Sequence, residues 1–575
     1  MTTSRELIFL PSIVSSGIRT FASTTIMPPP KTAVKQDAGD SLENSSLGPT
    51  WTLVSVLTLI FLAAAATALR FHFLTRKPFW FDECFSVVIA RLSWHDFLHL
   101  LWWREANMAL YYVLLRGWLN LDSGFSPFFI RSFSVLASLA TLPAIFWLGS
   151  KLFDHRVGLI AVALISCNAY HIRYAQEARS YSLFVLLATL SSGFFVACVR
   201  EPSPSERDRW SYILASVLAV YAHLYALLLL AAQWLSVQGL EKTQPSGEGV
   251  AVSGVTRTST SYTSLRYTSL YQTWLRQTWL GQTWIWIGVA ILPLLAFVAK
   301  TGAGPIRWIS RPGFHDLLDY WEHLAGNDGL PLLLLYAAAC LAAILPLRAS
   351  LFRLSVGWDV WRYQFLLVWL LFPVALALLL SPARPVFLAR YFVFCLPALI
   401  ILAAAGLANL RKIWMMAVCL TALLLASLQG TFAYYARDFD LQRDGSEAAA
   451  SYIYDHARPG DAILFHIAEA RIPYEFVRSL RAGSSQSSPE TGPEIIFPRH
   501  ADHLDYRDVT GKPTSEFMRS VPGQYARVWV MLMSNGAPGQ PDATTLMINQ
   551  TLADSFLRVD LVQFPEVEVR LYRRP

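Results

Sequence analysis

The chain has 575 residues, 54% of them hydrophobic and only 15% charged, with a mean hydropathy of +0.39. Soluble proteins carry about 25% charged residues, so the composition excludes a soluble globular protein and indicates a polytopic membrane protein. The net charge of +7 and pI near 9.0 do not call for nucleic acid as a partner, because basic residues collected in loops on one side of a bilayer account for them.

Residues 1–50 hold one apolar run, LIFLPSIV, short for a signal-peptide core, and then Pro-, Ser- and Thr-rich sequence that reads as a disordered tail. The fold is expected to start near Trp51. A helix needs about 20 apolar residues to cross a hydrocarbon core of about 30 Å. Windows of that kind fall at 52–70, 127–150, 157–172, 182–199, 283–300, 330–347, 364–381, 391–409 and 413–430. The stretch 210–240 would run about 46 Å as a single helix, so it reads as a hairpin turning at YAHLYA. About eleven transmembrane helices result. Five cysteines, Cys167, Cys198, Cys340, Cys395 and Cys419, lie in apolar runs and only Cys84 in a loop, which reads as packing residues rather than a disulfide framework.

Charge sets the sidedness. With the N-terminus cytoplasmic, the inward loops carry Lys151 and Arg156, then Arg200, Arg207 and Arg209, then Lys242, Arg257, Arg266 and Arg276, then Arg348, Arg353 and Arg362, and finally Arg411 and Lys412. This is the positive-inside pattern. Counting MALYYVLLRGWLNL (108–121) as a span would invert it, so that segment reads as an amphipathic helix on the outer interface. The outward segments are then 71–126, 173–181, the turn at His223, 301–329 and 382–390, five separated stretches that meet at one outer face. Residues 241–282, with T-S-L and Q-T-W repeated along 257–284, read as a low-complexity cytoplasmic loop. The transmembrane domain is placed at 51–432. Beyond it hydropathy falls, and a helix, a Pro-Gly turn and strand-like runs at 494–497, 526–533 and 558–573 mark a soluble α/β domain, 433–575, on the extracytoplasmic side.

The first outer segment contains FWFDECFSVVIARLSWHDFLHLLWWREANMALYYVLLRGW (79–118), with Asp82, Glu83 and Glu105 among seven Trp and Tyr residues. Loop carboxylates are most often solvated and interfacial aromatics are most often belt residues. Here, however, the carboxylates stand in a poorly solvated stretch where charge is costly, and a second cluster, HIRYAQEARSY (171–181), emerges on the same side. Its Arg173, Glu177, Arg179 and Tyr181, with Arg384 and Arg390 of SPARPVFLARYFVF (381–394), suit an anion site, since guanidinium presents a planar fork to phosphate oxygens. A carboxylate is able to take the proton of an attacking hydroxyl, arginines to neutralise a departing phosphate, and aromatic faces to stack on sugar rings. These residue types fit a lipid-borne, phosphorylated sugar.

FWFDECFS, EANMALYYVLLRGW, HIRYAQEARSYSL, VYAHLYALLLLAAQW and RPVFLARYFVFCLPALIILAAAGL, in that order over roughly residues 52–430, together resemble bacterial GT-C glycosyltransferases of the glycosyltransferase 39/83 group, the protein O-mannosyltransferase-like and aminoarabinose-transferase-like enzymes. The resemblance implies a polyprenyl-phosphate-sugar donor, an outward catalytic face and inverting transfer to an extracytoplasmic acceptor hydroxyl, in an enzyme of the cell membrane. It implies Asp82 as general base with Glu83 beside it, and a donor-phosphate pocket of Arg173, Glu177, Arg179, Tyr181 and Arg390. The acceptor or sugar side falls to Trp80, Glu105, Asn107, Tyr111, His223 and Tyr225, the last two matching a His-Tyr turn of the family. Where many relatives carry His-Pro-Pro, this chain has Asn107, Met108 and Ala109, so the resemblance leaves the acceptor open.

Asp82, Glu83 and Glu105 are also oxygen donors suited to a hard divalent cation. A monophosphate leaving group is served by basic side chains, so no required cofactor or metal is expected; His72, His95 and His99 lack zinc spacing. The competing class is a transporter or flippase, which calls for paired halves and a mid-bilayer site. Charges at the outer interface favour transfer.

Overall fold

The structure, a computed structural model, describes residues 49–103, 105–121, 126–201, 203–240, 261–302, 309–326, 329–351, 353, 356–436, 445–483, 492–499, 511–533, 536–537 and 540–575. Nearly all of the expected N-terminal tail and residues 241–260 lie outside these. Residues Val54–Pro575 form one compact unit.

The helices follow in chain order: α1 (Pro49–Phe71), α2 (Phe81–Arg91), α3 (Trp94–Trp103), α4 (Ala109–Leu119), α5 (Pro127–Leu152), α6 (His155–Ser166), α7 (Ala169–Ala175), α8 (Tyr181–Arg200), α9 (Glu206–Ala222), α10 (Ala226–Ser236), α11 (Ser261–Thr301), α12 (Phe314–Ala325), α13 (Leu330–Ile344), α14 (Arg348–Leu351), α15 (Trp358–Leu380), α16 (Leu396–Ala408) and α17 (Ile413–Ala436). Among the described residues eight helical stretches are long and apolar enough to cross a membrane, in α1, α5, α8, α11, α13 with α14, α15, α16 with the turn before it, and α17. The pair α6 and α7, bent by 65°, makes a ninth when counted as one span. The places of the other two expected spans are taken by the hairpin α9 and α10, whose helices are shorter. α4 has 11 residues, too few to span at 1.5 Å each. The repeats expected as loop differ: from Ser261 onward they continue α11 as helix, because they hold no Pro and a single Gly, Gly281, among Leu, Gln, Arg and Trp residues that a helix accepts.

The bend between α6 and α7 frees carbonyls that low dielectric makes expensive to leave unpaired. Each finds a donor. Buried Arg70 reaches Ser166 O at 3.0 Å and Ile165 O at 3.3 Å, and Thr431 Oγ1 donates to Cys167 O at 2.8 Å. Asn168 caps α7 by accepting from His171 N and donates to the Leu324 and Ala325 carbonyls at the end of α12. The break thus binds α1, α12 and α17 to one point.

Within the bundle α8 and α16 are buried on nearly all sides, whereas α1 and α17 turn most of their apolar surface outward, as lipid-facing helices do. Small residues let backbones approach. At Gly406 in α16 an added Cβ would overlap the Ala339 carbonyl of α13. Gly406→Val is therefore expected to lower the thermal midpoint of the detergent-solubilised protein and its folded yield; a midpoint equal to wild type would show that α13 and α16 part without cost.

The C-terminal region comprises α18 (Ser446–His456), β1 (Ala462–Phe465), α19 (Arg471–Gly483), β2 (Glu494–Phe497), α20 (Ser515–Gln524), β3 (Arg527–Met533), β4 (Gly536–Ala537), β5 (Gln540–Pro541), α21 (Ala543–Ala553), β6 (Leu557–Phe564) and β7 (Val567–Arg573). Five strands form a sheet in the order β2-β1-β3-β7-β6, with β1 parallel to β2 and β3, and β7 antiparallel to β3 and β6. Side chains of β1 alternate between two cores. Ala462 and Leu464 pack with Met518, Val521, Ile548 and Leu552. Ile463 and Phe465 join Ala450, Ile453 and Phe476, and that second core continues into Phe79, Cys84 and Val87 of the first outer segment. The sheet domain therefore shares a hydrophobic core with α2. The Phe79 and Phe476 rings pack at a tilt with centroids 4.7 Å apart, and the Phe79 backbone N–H donates to Glu447 of α18.

Candidate active site

The site is built where helix ends meet on one side of the bundle. Trp80 precedes α2 in an extended conformation, and Asp82 and Glu83 occupy the helix's first turn, where unpaired N–H groups favour negative charge. Neighbouring side chains on a helix point about 100° apart, and these two carboxylates go to different places.

Glu83 turns inward and is wholly buried. Arg131 of α5 grips it with both prongs, Nε to Oε1 at 2.9 Å and Nη2 to Oε2 at 2.8 Å. The same guanidinium donates to the carbonyls of Leu74, Lys77 and Pro78 and lies over the Phe79 ring. Glu83 Oε1 also accepts from Ala178 N at 2.8 Å. One buried ion pair thus straps the loop after α1, the start of α2 and the turn before α8 together.

Asp82 faces the other way. Its Oδ2 lies 3.4 Å from Arg179 Nη2 and 3.8 Å from Arg390 Nη2, with about a fifth of its side chain exposed. Arg179 Nη1 also donates to the Asp82 carbonyl and to Ser86 Oγ, each at 3.2 Å. Arg390 stands between the rings of Trp80 and Tyr391, at 5.4 and 5.9 Å. Residues 82, 179 and 390 are in contact, so their three segments lie on one side of the bundle, as the charge-based sidedness requires.

Around this centre runs a row of aromatic rings: Tyr170 to Tyr174 at 4.9 Å, Tyr174 to Tyr181 at 4.6 Å, then His223 and, 5.0 Å beyond it, Tyr391. Arg173 pairs with Glu177 at 3.2 Å. Tyr181 Oη and His223 Nε2 are fully buried and have no hydrogen-bond partner among the described residues. Buried polar atoms are nearly always paired in a completed structure, so these two have hydrogen-bonding capacity that the described residues leave unused.

Other expected residues hold the frame. Asn107 Oδ1 accepts from Leu224 N at 3.0 Å, His223 Nδ1 accepts from Tyr225 N at 3.2 Å, and Tyr225 Oη donates to the Val386 carbonyl. The His-Tyr turn is thereby tied to the first outer segment and to the loop leading to Arg390. Tyr111 is buried with its hydroxyl 3.4 Å from Ser134 Oγ. Glu105 accepts from Tyr112 Oη at 3.3 Å. Burial pushes its carboxyl up to about 7, against the pull of Arg179 and with a further push from Asp82.

Among the described residues no three His, Cys, Asp or Glu side chains are grouped to hold a metal ion. Glu83, expected beside Asp82 as a catalytic group and as an oxygen donor to a cation, has both oxygens bound by Arg131. Sequence reasoning missed Arg131, which sits in an apolar helix. Tyr391 carried a signal in its place beside Arg390.

Among solved structures, the crystal structure of ArnT from Cupriavidus metallidurans in the apo state matches with a TM-score of 0.55 at 12% identity, over 91% of this chain and 98% of that one. The chain has the GT-C fold. A second structure of ArnT from the same organism, bound to undecaprenyl phosphate, matches the GT-C fold of this chain with a TM-score of 0.50 at 11% identity and the same coverage. No protein-family model matches the chain, and no curated protein matches it in sequence.

Proposed function

We propose that this protein is an integral-membrane glycosyltransferase that moves a sugar from a polyprenyl-phosphate donor to a hydroxyl of an extracytoplasmic acceptor, with inversion at the anomeric carbon. One observation carries the reading: the Asp82 carboxylate stands between the guanidinium groups of Arg179 and Arg390 at one end of an apolar helix bundle. The undecaprenyl phosphate bound to ArnT, a protein of the same fold, supports a lipid phosphate as ligand here. Gathering of the charges at helix ends, with the sheet domain beside them, favours transfer over transport across the bilayer.

In this reading the donor phosphate lies against Arg390 and Arg179, with Tyr181 and His223 offering the polar atoms that lack partners. Arginine is suited to the task because it stays charged and forks toward two oxygens at once. Asp82 receives the proton of the acceptor hydroxyl as its oxygen attacks the anomeric carbon from the face opposite the phosphate. The arginines stabilise the charge that accumulates on the leaving phosphate, so the expectation of a reaction without a required metal stands as part of this proposal. Glu83 acts through structure, holding Ala178 so that Arg179 meets Asp82. The membrane keeps the lipid tail aligned and lowers the cost of bringing the reactants together.

Arg390→Ala is expected to weaken binding of undecaprenyl phosphate by roughly ten- to a hundredfold, the range for a lost hydrogen bond to a charged group. Titration of the purified variant measures it, and an affinity equal to wild type would take Arg390 out of the donor site. Incubation of the wild type with radiolabelled polyprenyl-phosphate sugars identifies donor and acceptor together; failure of every such lipid to lose its sugar would overturn the reading.

A further inference from the structure

Helix α3 carries a surface that the active site does not use. Its 10 residues run about 15 Å, too short to cross a bilayer. Each residue advances about 100° around a helix, so the side chains of α3 fall into three arcs. Phe97, Leu100 and Leu101 form the first and pack into the main core of the bundle. Trp94, Leu98 and Trp102 form the second, each more than half exposed. His95 and His99 form the third, also exposed, with their rings stacked at 6.4 Å and His99 followed by the Trp103 ring at 5.9 Å.

A neighbouring span fixes the height of this surface. Lys300 Nζ lies over the Trp103 ring, and Lys300 is the last residue but one of the apolar stretch Trp279–Thr301, which is long enough to cross a membrane. Trp103 is therefore level with the boundary between hydrocarbon and headgroups, where Trp rings gather and Lys extends toward water. A short helix at that level, with one arc on protein, one apolar and one polar, lies along the boundary with its apolar arc among acyl chains and its His arc among headgroups. The segment expected to lie there, 108–121, instead turns Tyr111, Tyr112 and Leu115 of α4 inward. Charge distinguishes the two ends of α3. At its start Asp96 accepts from Ser93 Oγ at 2.6 Å and stands 3.2 Å from His95, while Arg116 lies over Trp94 and donates to the carbonyls of Ala90 and Leu92. These charges are taken up locally. At its end the exposed Lys300 ammonium faces Trp103, with His99 beyond, and no carboxylate pairs with it among the described residues.

We propose that α3 is a binding surface for an anionic phospholipid of the bilayer, whose acyl chains lie along Trp94, Leu98 and Trp102 and whose headgroup phosphate meets Lys300 beside His99. The inference needs the membrane fold alone and is independent of the glycosyltransferase reading. Its ligand is bulk phospholipid, because the surface is continuous with the lipid-facing side of the spans, and Lys300 contacts α3, away from the arginines assigned to the donor phosphate. A lipid held there steadies α3 where the chain passes directly into Glu105 and Asn107, the latter bonded to Leu224 N at the His-Tyr turn.

Cys419 is the exposed cysteine and the other five are buried, so the full-length protein with Cys419→Ser accepts a spin label at Leu98→Cys or His95→Cys. In vesicles of phosphatidylcholine and phosphatidylglycerol the label at 98 is expected to collide mainly with oxygen dissolved in lipid, and the label at 95 mainly with a water-soluble nickel chelate. Equal nickel access at both positions would place α3 in water and overturn the inference. Native mass spectrometry after exposure to equal amounts of the two lipids reads the headgroup contact. The wild type is expected to retain phosphatidylglycerol in preference, Lys300→Gln to lower that preference by about fivefold, the contribution of one basic side chain near an anionic membrane surface, and Lys300→Arg to keep it. Thermal midpoint and binding of undecaprenyl phosphate should be alike in all three. An absent preference in the wild type, or an undiminished one in Lys300→Gln, overturns the inference; so does loss of undecaprenyl phosphate together with phosphatidylglycerol, which would assign Lys300 to the donor site.

Discussion

Asp82→Asn is expected to lower sugar transfer by roughly 10²- to 10⁴-fold, the range that a positioned general base contributes, without loss of fold. Asn preserves the volume and keeps an oxygen near Arg179 and Arg390, whose other contacts persist: Arg179 still donates to the Asp82 main-chain carbonyl and to Ser86. What disappears is the negative charge that competes with phosphate for the two guanidinium groups. Binding of undecaprenyl phosphate should therefore stay as tight as in wild type or become tighter, while turnover of the radiolabelled donor collapses. This opposite movement of affinity and rate separates a base from a residue that merely supports the pocket. Undiminished turnover would remove Asp82 from the mechanism.

Arg131→Met is expected to be the most destabilising single change at the site. It leaves Glu83 charged and wholly buried, and takes donors from the Leu74, Lys77 and Pro78 carbonyls. Breaking a buried ion pair by removing one partner costs about 3–5 kcal/mol. The outer segment carrying Asp82 should loosen, so folded yield, thermal midpoint and transfer fall together. Adding Glu83→Gln removes the stranded charge and should recover part of the stability, a coupling that a double-mutant cycle reads directly. If Arg131→Met unfolds at the wild-type temperature, the strap does not hold the site.

The membrane architecture was legible because the bilayer imposes one rule on every span. Nine of the eleven expected spans correspond to the eight long apolar helices and the bent pair, and the hairpin occupies 206–236 as read from its excess length. Convergence of the outward segments was legible for a related reason: basic residues counted loop by loop fix parity, and parity places Asp82, Arg179 and Arg390 on one side. The helical run from Ser261 was not legible, since its Thr- and Ser-rich repeats resemble linker sequence and a helix there depends on its continuity with the span that follows.

The amino-acid sequence alone determined which stretches are long and apolar enough to enter the lipid and which charged residues gather at one set of their ends, because solvation by a bilayer acts on each segment independently of its neighbours. Only the tertiary structure decided which partners Asp82 and Glu83 meet. Adjacent on one helix, they differ in what stands opposite, Arg131 inward for one and two arginines at the site for the other, and no local pattern records a partner so far along the chain. The sheet domain is the same case at greater separation. Its docking against α2 follows from a hydrophobic core that is shared across the two parts of the protein.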